Sequence, residues 1–206
     1  MSKNSGKLLF NLIAPIYGLF YNSQKKHYAK VLAGVKDEVD LTSYETILDV
    51  GCGTGALCAV LSEKGLKVTG IDPAEKMLAI ARKKPENKTV QFINANVLEK
   101  LPFENSFFDI SIASYVAHGL QEHERIKMYA EMSRVTSFKV IIYDYNQQQS
   151  LWINIAEWLE GGDYFHFIRN AEYEMNNCVH ELQQCFSEVR VINVSPRAAW
   201  YICTPS

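Results

Sequence analysis

The stretch I-L-D-V-G-C-G-T-G-A, residues 47–56, decides the fold. Ile47, Leu48 and Val50 make a short apolar run of the kind buried in a parallel sheet, and the run stops at three alternating glycines. Gly51, Gly53 and Gly55 lack Cβ atoms, so the chain can turn there with positive φ and let a ligand come close to its backbone. Ala56 to Lys64 read as a helix whose N-terminal amides stand beside whatever lies over the loop. Alone, the loop also satisfies the dinucleotide-binding pattern through Gly51, Gly53 and Ala56. Asp49 separates the two readings, because a dinucleotide-binding strand is normally apolar throughout, and here an acid sits two residues before the first glycine.

Strands and helices alternate on both sides of this stretch. Ser23 to Val39 is an expected helix with Tyr28, Val31, Leu32 and Val35 on its apolar face. Lys67 to Ile71 is a β-branched strand ending at Asp72, and Pro73 suits the start of a helix that continues over Ala74 to Lys84. Val90 to Ile93, Phe108 to Ser114 and Lys139 to Tyr143 read as three more strands, with a helix over Glu122 to Val135. This order predicts right-handed βαβ units and a parallel sheet. The rhythm then changes. Helices are expected over 147–163, closed by Gly161-Gly162, and over Glu172 to Phe186, followed by an antiparallel pair, Val189 to Val194 and Ala198 to Cys203. With no repeat or linker in 206 residues, one domain is expected: a helical cap to residue 40, a core over 41–146, an inserted aromatic region over 147–171, and a closing helix and hairpin over 172–206.

Lys plus Arg is 21 and Asp plus Glu is 23, a net charge of -2 that offers no basic excess to nucleic acid phosphates. Five cysteines without a C-x-x-C pair or a histidine at ligand spacing point to no metal site and to a reducing, cytoplasmic setting. Leu8 to Tyr21 follows two lysines and is largely apolar, but Asn11, Pro15 and Gly18 interrupt it and no small-x-small cleavage site follows. It is too short to span a bilayer; packing over the binding cleft and lying on a membrane surface both suit it.

D-V-G-C-G-T-G at 49–55 closely resembles motif I of the class I S-adenosylmethionine-dependent methyltransferases. G-I-D-P-A-E-K-M-L at 70–78, L-P-F at 101–103 and S-F-F-D-I at 106–110 follow in that family's order. The opening N-L-I-A-P-I-Y-G-L-F-Y at 11–21 is similar to the start of the quinone-biosynthesis C-methyltransferases of the superfamily. The resemblance implies a Rossmann-like three-layer α/β sandwich, with a seven-stranded, mostly parallel sheet, a C-terminal antiparallel hairpin and helical lid elements. It also implies methyl transfer from S-adenosylmethionine, leaving S-adenosylhomocysteine, to a small-molecule acceptor.

Residue by residue, the resemblance puts Gly51, Cys52 and Gly53 at the methionine part of the cofactor, with Asp49 near its ammonium and Asp72 on the ribose diol. Pro73 and Met77 would cover the adenine, and Asn96 with the Val97 amide would meet its edge; the family usually has an acid where Asn96 stands, and the amide carbonyl can still accept. Ser114 and Tyr115 open the segment S-Y-V-A-H-G-L, 114–120, that is implied to run beneath the methyl group. Tyr115 could attract the sulfonium through its ring face, and His118 is implied as base or substrate orienter. Tyr17 and Tyr21 would fold over the cleft. Plainer uses stay open beside these: a turn cap for Asp49, an N-cap for Asp72, a core side chain for Met77, a small filler for Cys52 and a structural hydrogen bond for His118. Trp152, Trp158, Tyr164, Phe165, His166 and Phe167 suit a lid around a flat acceptor, an extra core or a homodimer surface, and Arg169 suits a clamp for an acidic substrate or a place on the surface. Two rival functions remain, a nicotinamide-dependent oxidoreductase and a protein that binds S-adenosylmethionine without turnover.

Overall fold

The computed structural model describes residues 5–146, 178–196 and 198–206. Five strands run parallel: β1 (Thr46–Val50), β2 (Lys67–Asp72), β3 (Gln91–Asn94), β4 (Phe108–Ser114) and β5 (Thr136–Tyr145). Two more, β6 (Phe186–Ser195) and β7 (Ala198–Pro205), are antiparallel, giving the order β3-β2-β1-β4-β5-β7-β6. This is the expected seven-stranded sheet with its closing hairpin. Its helices are α1 (Ser5–Leu19), α2 (Tyr21–Gly34), α3 (Ala56–Glu63), α4 (Glu75–Arg82), α5 (Glu122–Val135) and α6 (Cys178–Cys185).

Alternation along the strands divides the core into two layers. Ile47, Ile110, Ile112, Ile141 and Trp200 pack with Leu32 of α2 and Leu57 and Leu61 of α3. Leu48, Val50, Val140, Ile142 and Tyr201 pack on the other face with Met128, Tyr129 and Met132 of α5 and Leu182 of α6. A buried ion pair joins α5 and α6: Arg125 donates from Nε to Glu181 at 2.7 Å and from Nη2 at 2.6 Å, and from Nη1 to the Leu120 carbonyl at 2.7 Å. α1 lies on α4, with Ala14 against Ala74 and Met77. Asn11 Oδ1 accepts from the Lys76 amide in the first turn of α4 at 3.0 Å, satisfying a donor the helix leaves unpaired.

Several boundaries differ from those expected. The helix begun at Ser23 starts at Tyr21 and ends at Gly34, where the Val35 amide closes the last turn on the Val31 carbonyl. β5 begins at Thr136 instead of Lys139, because buried Thr136 follows α5 directly and its hydroxyl donates to Ser111 Oγ at 2.8 Å. Phe186 opens β6, paired with Pro205, instead of ending a helix. The helix expected over 147–163, the aromatic residues from Trp152 to Phe167 and Arg169 lie outside the described residues.

Candidate functional site

Strand order reverses between β1 and β4, whose neighbours lead away to opposite edges of the sheet. A doubly wound sheet opens a crevice at that point, outside the carboxyl ends of its strands. The glycine loop follows β1 there, and the segment from Tyr115 to Gly119 follows β4.

All three loop glycines are left-handed, with φ of 69° at Gly51, 52° at Gly53 and 76° at Gly55. The amides of Gly51 and Cys52 both donate to the Ile71 carbonyl, at 2.8 and 3.0 Å, which holds the loop across the end of β2. A Cβ on Gly51 would meet Val116 Cγ2 at 2.6 Å, and one on Gly55 would meet Asn87 Nδ2 at 2.5 Å. Gly53 is different. Nothing lies within 4 Å of its missing Cβ, so the backbone there faces open space.

Asp72 organises the loop. Its Oδ2 accepts from the Gly53 amide at 2.9 Å and its Oδ1 from the Ala74 amide at 2.7 Å, so one carboxylate joins the glycine turn to the start of α4. Burial raises its pKa, and the two amides work against that rise. Asp49 lies beneath the loop, buried, with the Cys58 thiol donating to its Oδ2 at 3.0 Å. Burial pushes its pKa up to about 7. Cys52 is also buried, and desolvation pushes its thiol up to about 11, which makes it a packed filler and not an activated nucleophile.

Across the crevice, Tyr115 adopts φ of 56°, a conformation costly for a non-glycine residue, and its amide donates to the Tyr143 carbonyl at 2.8 Å. Its hydroxyl donates to Tyr143 Oη at 3.2 Å, and Tyr143 Oη is 2.9 Å from His27 Nε2 on α2. Ser114 Oγ donates to Tyr28 Oη at 3.1 Å. Desolvation raises the pKa of Tyr28, Tyr115 and Tyr143, so these phenols stay protonated. His118 sits in the 3-10 turn Ala117–Gly119 with Nδ1 2.9 Å from Asp144 Oδ1, while its backbone amide donates to Asp144 Oδ2 at 3.2 Å. Asp144 is fully buried and also accepts from the Tyr145 amide at 2.9 Å. A carboxylate opposite Nδ1 sets the proton there, so that Nε2 carries the basic lone pair.

The other expected site residues have partners of their own. Met77 is 2% exposed and packs on Ala14 and Ala74, and Tyr21 is 1% exposed against Ala56 and Ala59 beneath the Lys84 ammonium. Both are core side chains: α1 covers Met77, and Tyr21, itself on α2, packs against α3. Tyr17 is exposed and meets Phe10 edge to face. Asn96 turns its side-chain carbonyl to the Leu98 amide at 3.1 Å, the Val97 side chain joins the core, and the Pro73 carbonyl accepts from Asn94 Nδ2 at 3.1 Å.

Residues 47–138 match the methyltransferase domain family. A demethylmenaquinone methyltransferase of Chlorobaculum tepidum is 33% identical over 138 residues, covering 61% of this chain and 56% of that relative. A putative S-adenosylmethionine-dependent methyltransferase of Methanococcus maripaludis superposes with a TM-score of 0.73 over 95% of this chain and 93% of that one, at 16% identity. Over residues 47–138 the chain is similar to the methyltransferase domain, and as a whole it shares the fold of that solved structure. The magnesium protoporphyrin IX methyltransferase of Synechocystis, solved with bound S-adenosylhomocysteine, shares the fold with a TM-score of 0.64 at 16% identity, over 88% of this chain and 83% of its own. The match to the Chlorobaculum enzyme spans little more than half of that protein.

The residues of the candidate site that the sequence did not single out are Asp144, Tyr143, His27 and Tyr28. Asp144 carried a signal: it ends V-I-I-Y-D as Asp72 ends V-T-G-I-D, an acid closing a buried apolar strand. β1, β2 and β5 thus each bring a buried carboxyl to the same end of the sheet, an arrangement that favours a cationic ligand.

Proposed function

We propose that this chain transfers the methyl group of S-adenosylmethionine to a small-molecule acceptor. The observation that carries the reading is the loop itself: three left-handed glycines, pinned by Asp72, with open space at Gly53. The donor set fits this cofactor. Open backbone at Gly53 admits the amino acid part, buried Asp49 favours a neighbouring ammonium, and both Asp72 oxygens keep lone pairs for a ribose diol. Met77 is not part of the proposed site, and Asn96 contributes at most the remaining lone pair of its carbonyl.

When bound, the sulfonium supplies an electrophilic methyl group with a good leaving group already attached. The protein then has to align the acceptor, exclude water and manage one proton. Tyr115, held in a strained turn and bonded to Tyr143, offers an aromatic wall beside the glycine loop. His118 accepts the acceptor's proton at Nε2. Asp144 is the positioning residue that orients the imidazole and stabilises its protonated form. Tyr145, whose ring centroid is 5.1 Å from that of His118, borders the same space and suits a flat or apolar acceptor.

Titration calorimetry with S-adenosylhomocysteine tests the cofactor. A dissociation constant near the micromolar range, about 7 to 9 kcal/mol, is expected. Asp72→Ala should weaken it by about 1.5 to 3 kcal/mol, since the variant loses the ribose acceptor and frees the Gly53 amide. No heat with either form of the cofactor, beside a response to NAD(P), would return the chain to the oxidoreductase reading.

A further inference from the structure

We propose that the outward face of α1 docks on the surface of an anionic lipid bilayer. α1 has two faces. Asn11, Ala14 and Gly18 turn toward α4, where they meet the Lys76 amide, Ala74 and Ile80. Leu8, Leu12, Ile16 and Leu19, at successive turns of the helix, are 68%, 75%, 57% and 83% exposed. Phe10, Tyr17 and Phe20 are exposed alongside them. A run of large apolar side chains this continuous is rarely left in water by a soluble monomer and marks an interaction surface.

Charge names the occupant. Residues 1–36 hold six lysines and no acidic residue, whereas the other 170 residues hold 15 basic and 23 acidic side chains, a net of eight negative charges. Lys26 and Lys30, one turn apart on α2, are exposed. An apolar stripe inside the positive segment of an otherwise negative chain matches negative headgroups over hydrocarbon. A second copy docking through the same face would set this lysine-rich segment against its own copy, since a two-fold interface places identical patches together. The 15 residues of α1 extend about 22 Å, short of the ~30 Å hydrocarbon core, so the helix lies in the interface plane. Among the described residues no helix is long and apolar enough to cross a membrane. Lipid binding is read without cofactor or acceptor, so the inference stands or falls apart from methyl transfer.

Co-sedimentation of the full chain with vesicles of phosphatidylglycerol or of phosphatidylcholine decides it. The protein should bind phosphatidylglycerol at least about tenfold more tightly than phosphatidylcholine and lose affinity as salt is added. A Leu12→Glu, Ile16→Glu variant should bind about a hundredfold more weakly with an unchanged melting temperature, and Leu19→Glu alone, at the most exposed position, about tenfold more weakly. Failure of the native chain to bind either vesicle overturns the proposal. So does equal binding to both, which removes the anionic requirement, or undiminished binding by the variants, which leaves adhesion to the lysines alone. A doubled solution mass that the variants abolish, without vesicle binding, would make this face an interface between copies instead.

Discussion

At the residue scale the site is a set of buried carboxyls with separate tasks, and burial sets how each titrates. Asp49 holds its proton to about pH 7, well above its ordinary value of 3.8, because the folded chain strips it of water and offers only the Cys58 thiol in return. The unfolded chain gives up that proton first, so the stability gained by holding it is whole below about pH 4 and is gone as pH rises through about 7. Asp49→Asn should therefore flatten the fall in apo melting temperature between pH 5 and pH 8, and parallel curves for the two proteins would remove the burial argument. Cofactor affinity of the native chain should rise over the same interval, as a charged Asp49 becomes available to an ammonium. In the proposed mechanism His118 and Asp144 act on transfer, not on binding. His118→Ala should leave the affinity for S-adenosylhomocysteine nearly unchanged while turnover falls by about 10² to 10⁴ where proton removal limits the rate. Asp144→Asn keeps one carbonyl oxygen, an acceptor for only one of the His118 and Tyr145 amides, and loses the charge behind the imidazole, so its kcat should fall. Cofactor affinity lost in either soluble variant, or a kcat of Asp144→Asn equal to the native one, would assign the dyad to structure alone. Much of this site was legible in the sequence because Asp49, Asp72 and the glycines are fixed by local strand and turn chemistry. Asp144 escaped notice because its partner is 26 residues away, and for Met77 and Tyr21 only packing by α1 and α3 shows that they are covered.

At the element scale, sequence patterning found each described strand and the helices from α2 to α6, since the central strands are buried on both faces and their apolar runs stop abruptly. Helix α5 was bounded correctly at both ends: Gln121 and Glu124 form a reciprocal cap, and Thr136 ends the turn pattern by entering β5. Ends set by tertiary contact were less legible, as where Thr136 joins the sheet through Ser111 and where Phe186 pairs with Pro205. No local pattern reveals the pairing of Arg125 with Glu181, 56 residues apart, with both side chains buried. That pair fixes α6 on α5, and its stability effect should be asymmetric. Glu181→Ala strands a buried guanidinium and should cost about 3 to 5 kcal/mol, whereas replacing both partners by apolar residues of similar volume should cost far less. Chemical denaturation of the single and double variants checks this; equal losses would show that the pair contributes packing and not charge compensation.

At the scale of the whole molecule, the glycine loop touches both halves of the sheet. Its amides bond to the end of β2, its Gly51 packs against Val116 after β4, and Asp72 ties it to α4, on which α1 rests. A ligand seated on that loop is therefore coupled to elements from α1 to β5, and its binding should stabilise the described fold as one unit. The expected size follows from mass action: S-adenosylhomocysteine at about 100 times its dissociation constant adds about 2.7 kcal/mol. For a chain of this length that corresponds to a rise of about 5 to 10 °C in melting temperature. NAD(P) at the same concentration should produce none. Asp72→Ala should reduce the shift in proportion to its weaker affinity, since less of the variant is bound at a given concentration. Thermal melts across a cofactor series separate the outcomes. A single transition climbing with the logarithm of ligand concentration supports coupling through the loop, whereas a second transition left unmoved would show that part of the molecule unfolds independently of the site.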